Sequence, residues 1–227
     1  MMRPLRKLIA STGRRLGADA SGVALLEFAL TLPVLLLLSL TGAELTNYIT
    51  TRMRISQVSL HVADNAARIG SGTQLSLKTI TEADINDLFI GAGLQSGELD
   101  LHKNGRVFLT SLEPDPDHSG KYRVRWRRCY GLKTSHQPLY PPKVGSSPAP
   151  TTNLTGIGPV GRQVIAPPEG VTMFVEVYYE YQPLVRSALA PSSNMTEIAS
   201  MMVRDRRDTT GGTNGVYAVA GVTASTC

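Results

Sequence analysis

After a polar opening stretch the chain becomes apolar, and residues 23–43 read VALLEFALTLPVLLLLSLTGA. That is close to the ~20 residues a helix needs to cross a bilayer. Beyond it, Leu45, Tyr48, Ile49, Arg52, Met53, Ser56 and Leu60 recur at three- and four-residue steps. Ile55, Ser59, Val62, Ala66 and Ile69 form a second such row. Two rows at helical spacing predict that the helix continues as an amphipathic one. Gly70-Ser71-Gly72 then supplies the stop. Unbroken from Val23 to Ile69, it would be about 70 Å long at 1.5 Å per residue.

The pattern changes after residue 72. Thr81 ahead of Glu82 and Asp84, with Ile85, Leu88 and Phe89 on one face, predicts a short capped helix ending before Gly91. Glu98–His102 alternates, Asn104-Gly105 follows, and Arg106–Thr110 resumes the alternation, which predicts a tight β-hairpin. Residues 121–129, KYRVRWRRC, predict a strand. Period two puts Lys121, Arg123, Arg125, Arg127 and Cys129 on one face, and Tyr122, Val124 and Trp126 on the other. Residues 130–170 are rich in Pro, Gly, Ser and Thr and predict a long surface loop. VTMFVEVYYEYQ, residues 171–182, is a strand with Val171, Met173, Val175, Val177, Tyr179 and Tyr181 on its apolar face. Residues 196–204 fit a last strand or short helix, and Val216–Val219 an edge strand. The expected class is α+β: a long N-terminal helix, transmembrane and then amphipathic, packed on a C-terminal antiparallel sheet.

Charge sharpens the N-terminal part. The chain carries 23 Lys+Arg against 18 Asp+Glu, a net +5. Arg3, Arg6, Lys7, Arg14 and Arg15 all precede the apolar run, with Asp19 the one acid there. Without residues 1–22 the balance is 18 basic to 17 acidic. The basic character therefore belongs to the N-terminal flank, and a nucleic-acid reading from charge alone loses its support. The same flank, under the positive-inside rule, puts the N-terminus in the cytoplasm and the rest outside.

Glu27 is the one charge inside the run. A carboxylate in a span is costly and calls for a partner or a snorkelling route to the headgroups. A cut between Gly22 and Val23 would supply a partner: a new α-amine four residues away, with Glu27 in the first turns where the helix dipole favours an acid.

Gly22-Val23-Ala24-Leu25-Leu26-Glu27-Phe28-Ala29-Leu30, followed by Pro33 and a leucine run, resembles the TadE-like pseudopilins of the bacterial tight-adherence (Tad, or Flp) pilus system. Gly22 through Phe28 also looks like the prepilin peptidase site of type IV pilins. The resemblance covers about residues 15–60. It implies a pilin-like fold, cleavage after Gly22 by a prepilin peptidase, and a role for Glu27 and Phe28 in registering subunits. It implies, as partners, other pilins and the assembly platform in the inner membrane, and a minor-pilin product. Ser21 stands where such leaders usually carry a basic residue. The resulting division is 1–22 leader, 23–45 membrane span, 46–70 helix continuation and 71–227 periplasmic or extracellular α+β domain.

Pro33 sets a kink near Ala29–Pro33, which membrane helices tolerate. Cys129 and Cys227 are the two cysteines. One disulfide suits an oxidising compartment, but sequence leaves their pairing open. The basic strand Lys121, Arg123, Arg125 and Arg127 is the candidate contact for an anionic surface, including a nucleic-acid backbone interleaved with aromatics. A solvated charged face is the plainer account. No GxSxG, HExxH or P-loop occurs. Asp115, Asp117 and His118 sit in a proline-rich turn without metal-ligand spacing. No cofactor is expected, and an enzyme is not the expectation. Two rivals remain: an unprocessed membrane-anchored binding domain, and a secreted hydrolase of unrecognised type, cut after Thr41-Gly42-Ala43 to begin at Glu44.

Overall fold

The computed structural model describes residues 21–73, 76–143, 151–185, 191 and 194–227. Residues 1–20 of the expected leader 1–22 lie outside them. A single helix α1, Ser21–Arg68, carries the apolar run and both amphipathic rows. Then follow β1 (Ile80–Thr81), α2 (Glu82–Ser96), a 3-10 turn (Gly97–Leu99), α3 (Leu101–Asn104), β2 (Gly105–Pro114) and β3 (Tyr122–Tyr130). The chain continues with β4 (Thr151–Leu154), β5 (Thr172–Glu180), β6 (Asn194–Met202) and β7 (Val216–Tyr217). It divides into two units, Met1–Asn47 with Leu184–Ala190, and Tyr48–Pro183 with Pro191–Cys227.

The second unit is an α+β domain. Its five-stranded antiparallel sheet has the order β4-β3-β2-β5-β6. One sheet face packs against α1 and α2. From α1 the row Ile55, Ser59, Val62 and Ala66 is buried, together with Val58, Ala63 and Ala67. They meet Leu109, Val175, Val177 and Tyr179 from the sheet, and Ile85 and Phe89 from α2. The small residues along that row let helix and sheet approach closely. Arg207 finishes the helix: its Nη2 donates to the carbonyls of Ala66 (2.8 Å) and Ile69 (3.0 Å), groups that no later turn could satisfy.

Helix α2 begins where the sequence says. Thr81 Oγ1 accepts from Asp84 N, and the Asp84 carboxylate accepts from Thr81 N, a capping box. It ends later than expected, at Ser96 rather than before Gly91. Gly93 is tolerated because the Tyr130 ring crosses it; a Cβ there would lie 2.4 Å from the phenolic oxygen. Tyr130 also stacks on Phe89, with centroids 5.6 Å apart.

The expected hairpin about Asn104-Gly105 is not formed. Residues 97–104 are a 3-10 turn and a helical turn, and only 105–114 is strand. Leu99 and Leu101 are both buried, so what reads as alternation is one helical turn joined to another through Asp100 at φ +46°. Asn104 Nδ2 donates to Leu99 O (3.1 Å), so the asparagine closes the helical turn instead of a β-turn. The true neighbours of β2 are β3 and β5.

The other sheet face is covered too. β5 is buried from Thr172 through Tyr179, on both faces rather than one. Residues 131–143, from the expected surface loop, form a strap across that face. His136 stacks on Tyr178 with centroids 3.5 Å apart, Lys133 pairs with Glu180, and Tyr140 meets Phe174 edge-on. Leu112, Val124, Phe174, Ile157 and Ala166 fill a second, smaller core there. The remaining strand expectations also resolve: 194–202 is a strand, and Val216–Tyr217 pairs in parallel with β1.

Candidate assembly site on the long helix

In the first unit α1 is exposed on all sides along its apolar run. Among the described residues it is the one helix long and apolar enough to cross a membrane, with none of its most hydropathic window buried. This is compatible with single-pass anchoring. Gly22, Val23, Glu27 and Phe28 are all exposed on the first turns, and a Cβ added at Gly22 would meet nothing within 4 Å. Glu27 therefore has its whole approach open to a neighbour. Pro33 lies inside the helix, where it removes an amide from the ladder.

The rows beyond the apolar run differ in burial. Leu45, Ile49, Met53 and Leu60 stay about half exposed while the Ile55 row is buried. The helix thus uses one face for its own domain and keeps another apolar face free. Tyr48 packs edge-on against Tyr181, and Arg52 Nε pairs with Glu197 (2.8 Å), both flanking that free row.

The basic strand is rearranged relative to its expected faces. Register shifts between Ser111 and Leu112, so Ser111 opposes Trp126 and Leu112 opposes Val124. Arg125 is the extra residue of a bulge. Trp126 therefore joins the helix-side core while Tyr122 and Val124 join the strap side. Arg123, Arg125 and Arg127 do not share one solvated face. Arg123 pairs with Glu113 across the strands (3.2 Å). Arg127 is buried and donates to Thr110 Oγ1 (2.8 Å), the carbonyls of Tyr140 (3.2 Å) and Pro141 (3.0 Å), and that of Pro142. Burial pushes its guanidinium down to about 10. Lys121 remains half exposed at the strand entrance.

Glu176, 1 % exposed, is the other half of that arrangement and was not singled out from sequence as a partner. It accepts Leu139 N (2.8 Å) and Tyr140 N (3.4 Å) and lies 3.9 Å from Arg127. Burial raises its carboxyl above the ordinary range, against the pull of those amides and of Arg127. Arg128, on the helix side, grips Glu82 at the start of α2 through two nitrogens. No sequence signal pairs these residues, since Arg127 with Glu176 needs the sheet register and Arg128 with Glu82 the packing of α2 on the sheet.

Cys129 and Cys227 are joined as a disulfide with Cα atoms 5.0 Å apart. The tail is further held by Cys129 N donating to Ser225 O (2.8 Å) and Asn86 Nδ2 to Thr223 O (2.9 Å). Asp115 is a turn former: its carboxylate accepts the amides of Asp117 (3.1 Å) and Asn153 (2.8 Å), which hold it below the usual range, and faces His118 Nδ1. Among the described residues no group of three or more His, Cys, Asp or Glu is placed to hold a metal.

No curated protein and no solved structure matches the chain. Over residues 22–71, which hold Glu27, Pro33 and all of α1 from Gly22, it matches the family model described as TadE-like protein, consistent with a TadE-like protein of the Tad pilus.

Proposed function

We propose that the chain is a minor pilin, or pseudopilin, of a Tad-type pilus machine, cut after Gly22 by a prepilin peptidase. The observation that carries this is α1 itself. It presents an open apolar surface with Glu27 as its one acid near the start, and keeps the Leu45 row uncovered beyond the span. Such a surface suits lipid before processing and neighbouring pilin helices after it. The new α-amine of Val23 gives Glu27, on the same or an adjacent subunit, a cationic partner at the helix N-terminus. The leader stays cytoplasmic, and the α+β domain faces the periplasm or the filament exterior.

Co-expression with a prepilin peptidase tests the site. The wild-type chain should shift in mobility and begin at Val23 on N-terminal sequencing; Gly22→Val should do neither. An intact leader in the wild type would favour an unprocessed membrane-anchored domain. Glu27→Ala should still be cut but co-purify poorly with other pilins; undiminished co-purification would remove the pairing role.

A further inference from the structure

We propose that the turn at Leu184–Val185 seats in the outer membrane interface and closes an apolar groove on α1 around a lipid acyl chain. This rests on reading α1 as a membrane anchor. Glu44 follows directly on the apolar run, yet it is only 4 % exposed. Its Oε2 accepts the backbone amide of Val185 at 2.9 Å. Both belong to the first unit. That hydrogen bond fixes Val185 at the level of the last turn of the span.

The groove runs along Pro33, Leu36, Leu37 and Leu40, with Glu44 at its outer end and Val185 across from the helix; its volume is about 340 Å³. Pro33 and Glu44 are separated by about 16 Å of helix, roughly half the ~30 Å hydrocarbon core. The groove therefore covers the outer half of the span and opens at the interface. Its walls are aliphatic, the only carboxylate sits at the mouth, and the faces beside it are exposed apolar residues such as Leu35 and Leu38. A linear apolar occupant parallel to the helix fits this lining, and lipid is what surrounds it. Leu184, 66 % exposed, is then not a leucine in water but one held at headgroup depth.

The test places a fluorophore sensitive to polarity on Leu184→Cys in the full chain, reconstituted in phosphatidylethanolamine–phosphatidylglycerol vesicles. The two native cysteines are bonded to each other and stay unlabelled without reductant. References are Leu35→Cys within the span and Val160→Cys, which is 99 % exposed on the domain. Quenching by a phosphatidylcholine spin-labelled near its carbonyl end should be at least roughly twofold stronger at residue 184 than at 160. Aqueous iodide should show the reverse order. If iodide reaches residue 184 as it does 160, while Leu35 is quenched by lipid, this inference falls and the anchor stands. If iodide reaches Leu35 as well, both fall. A label at Leu37→Cys shielded from both quenchers would mean a protein helix fills the groove, overturning the acyl occupant. Glu44→Ala should lower lipid quenching at 184 about twofold, whereas Glu44→Gln keeps a carbonyl acceptor and should preserve it. Equal quenching in both variants would remove Glu44 from the account.

Discussion

Glu176 offers the sharpest test of how the strap over the sheet is held. Glu176→Ala removes the acceptor for Leu139 N and Tyr140 N and the counter-charge 3.9 Å from Arg127. The two stranded amides cost up to about 1–3 kcal/mol each, less what the strap recovers by lifting and hydrating them, so about 3–4 kcal/mol serves as the estimate. Arg127 keeps its bonds to Thr110 and to the strap carbonyls, and burial already disfavours the Glu176 charge, so the lost pairing adds little. At about 2–4 °C per kcal/mol for a domain of this size, Tm should fall by roughly 6–15 °C. Glu176→Gln keeps one acceptor oxygen, enough for Leu139 N, and gives up the longer bond to Tyr140 N together with the charge, which burial already disfavours. It should cost about 1 kcal/mol. The assay is thermal unfolding of the full chain in detergent by circular dichroism, without reductant, with limited proteolysis at Lys133 and Lys143 reporting the strap. A Glu176→Ala shift below about 2 °C would refute the reasoning. So would a Gln variant as unstable as the Ala one, because charge and not acceptor geometry would then hold the strap.

The same carboxylate sets a pH dependence. Its folded pKa is raised, so the folded state binds the proton more tightly, and stability falls as pH climbs from the ordinary carboxylate range through the folded value. The Tm gap between wild type and Glu176→Gln should accordingly move in favour of Gln between pH 4.5 and 7; a constant gap would contradict this. Cys227→Ser opens a bridge across 98 residues and should cost about 2–5 kcal/mol, with the tail becoming protease-sensitive on a non-reducing gel. An unchanged Tm would show that the Ser225 and Thr223 contacts suffice. Thr81→Ala removes the capping hydroxyl of α2 and should cost about 1 kcal/mol, or about 2–4 °C, measured in the same melt.

What the sequence made legible follows from range. The long apolar helix, the amphipathic rows and the Thr81 cap are set by residues close together in sequence, and local spacing carries them. The division of the two rows on α1, one buried and one mostly exposed, was not decidable because both carry large apolar side chains at helical spacing. Asn104-Gly105 misled because five alternating residues with two leucines also fit two short helical turns once Leu99 and Leu101 are buried. The basic strand misled through a single extra residue: the bulge at Arg125 sends Val124 and Trp126 to opposite faces, and period-two reading has no means of seeing it. Arg127 and Glu176 lie two strands apart with β2 between them, so their meeting is a property of register. The family resemblance of the Gly22–Leu30 string was readable because neighbouring residues carry it.

Arg207 carries a consequence in time. The carbonyls it satisfies, on Ala66 and Ile69, are made about 140 residues before it. A chain emerging from its N-terminus would complete the rest of α1 long before its last turn could be finished. Until Arg207 arrives, that turn is free to fray, and the seam between helix and sheet cannot lock at that end. The end of the helix at Ala66–Ile69 is therefore expected to stay open until Arg207 is made, which would make it a point where a chain truncated before Arg207 is first noticed by proteases.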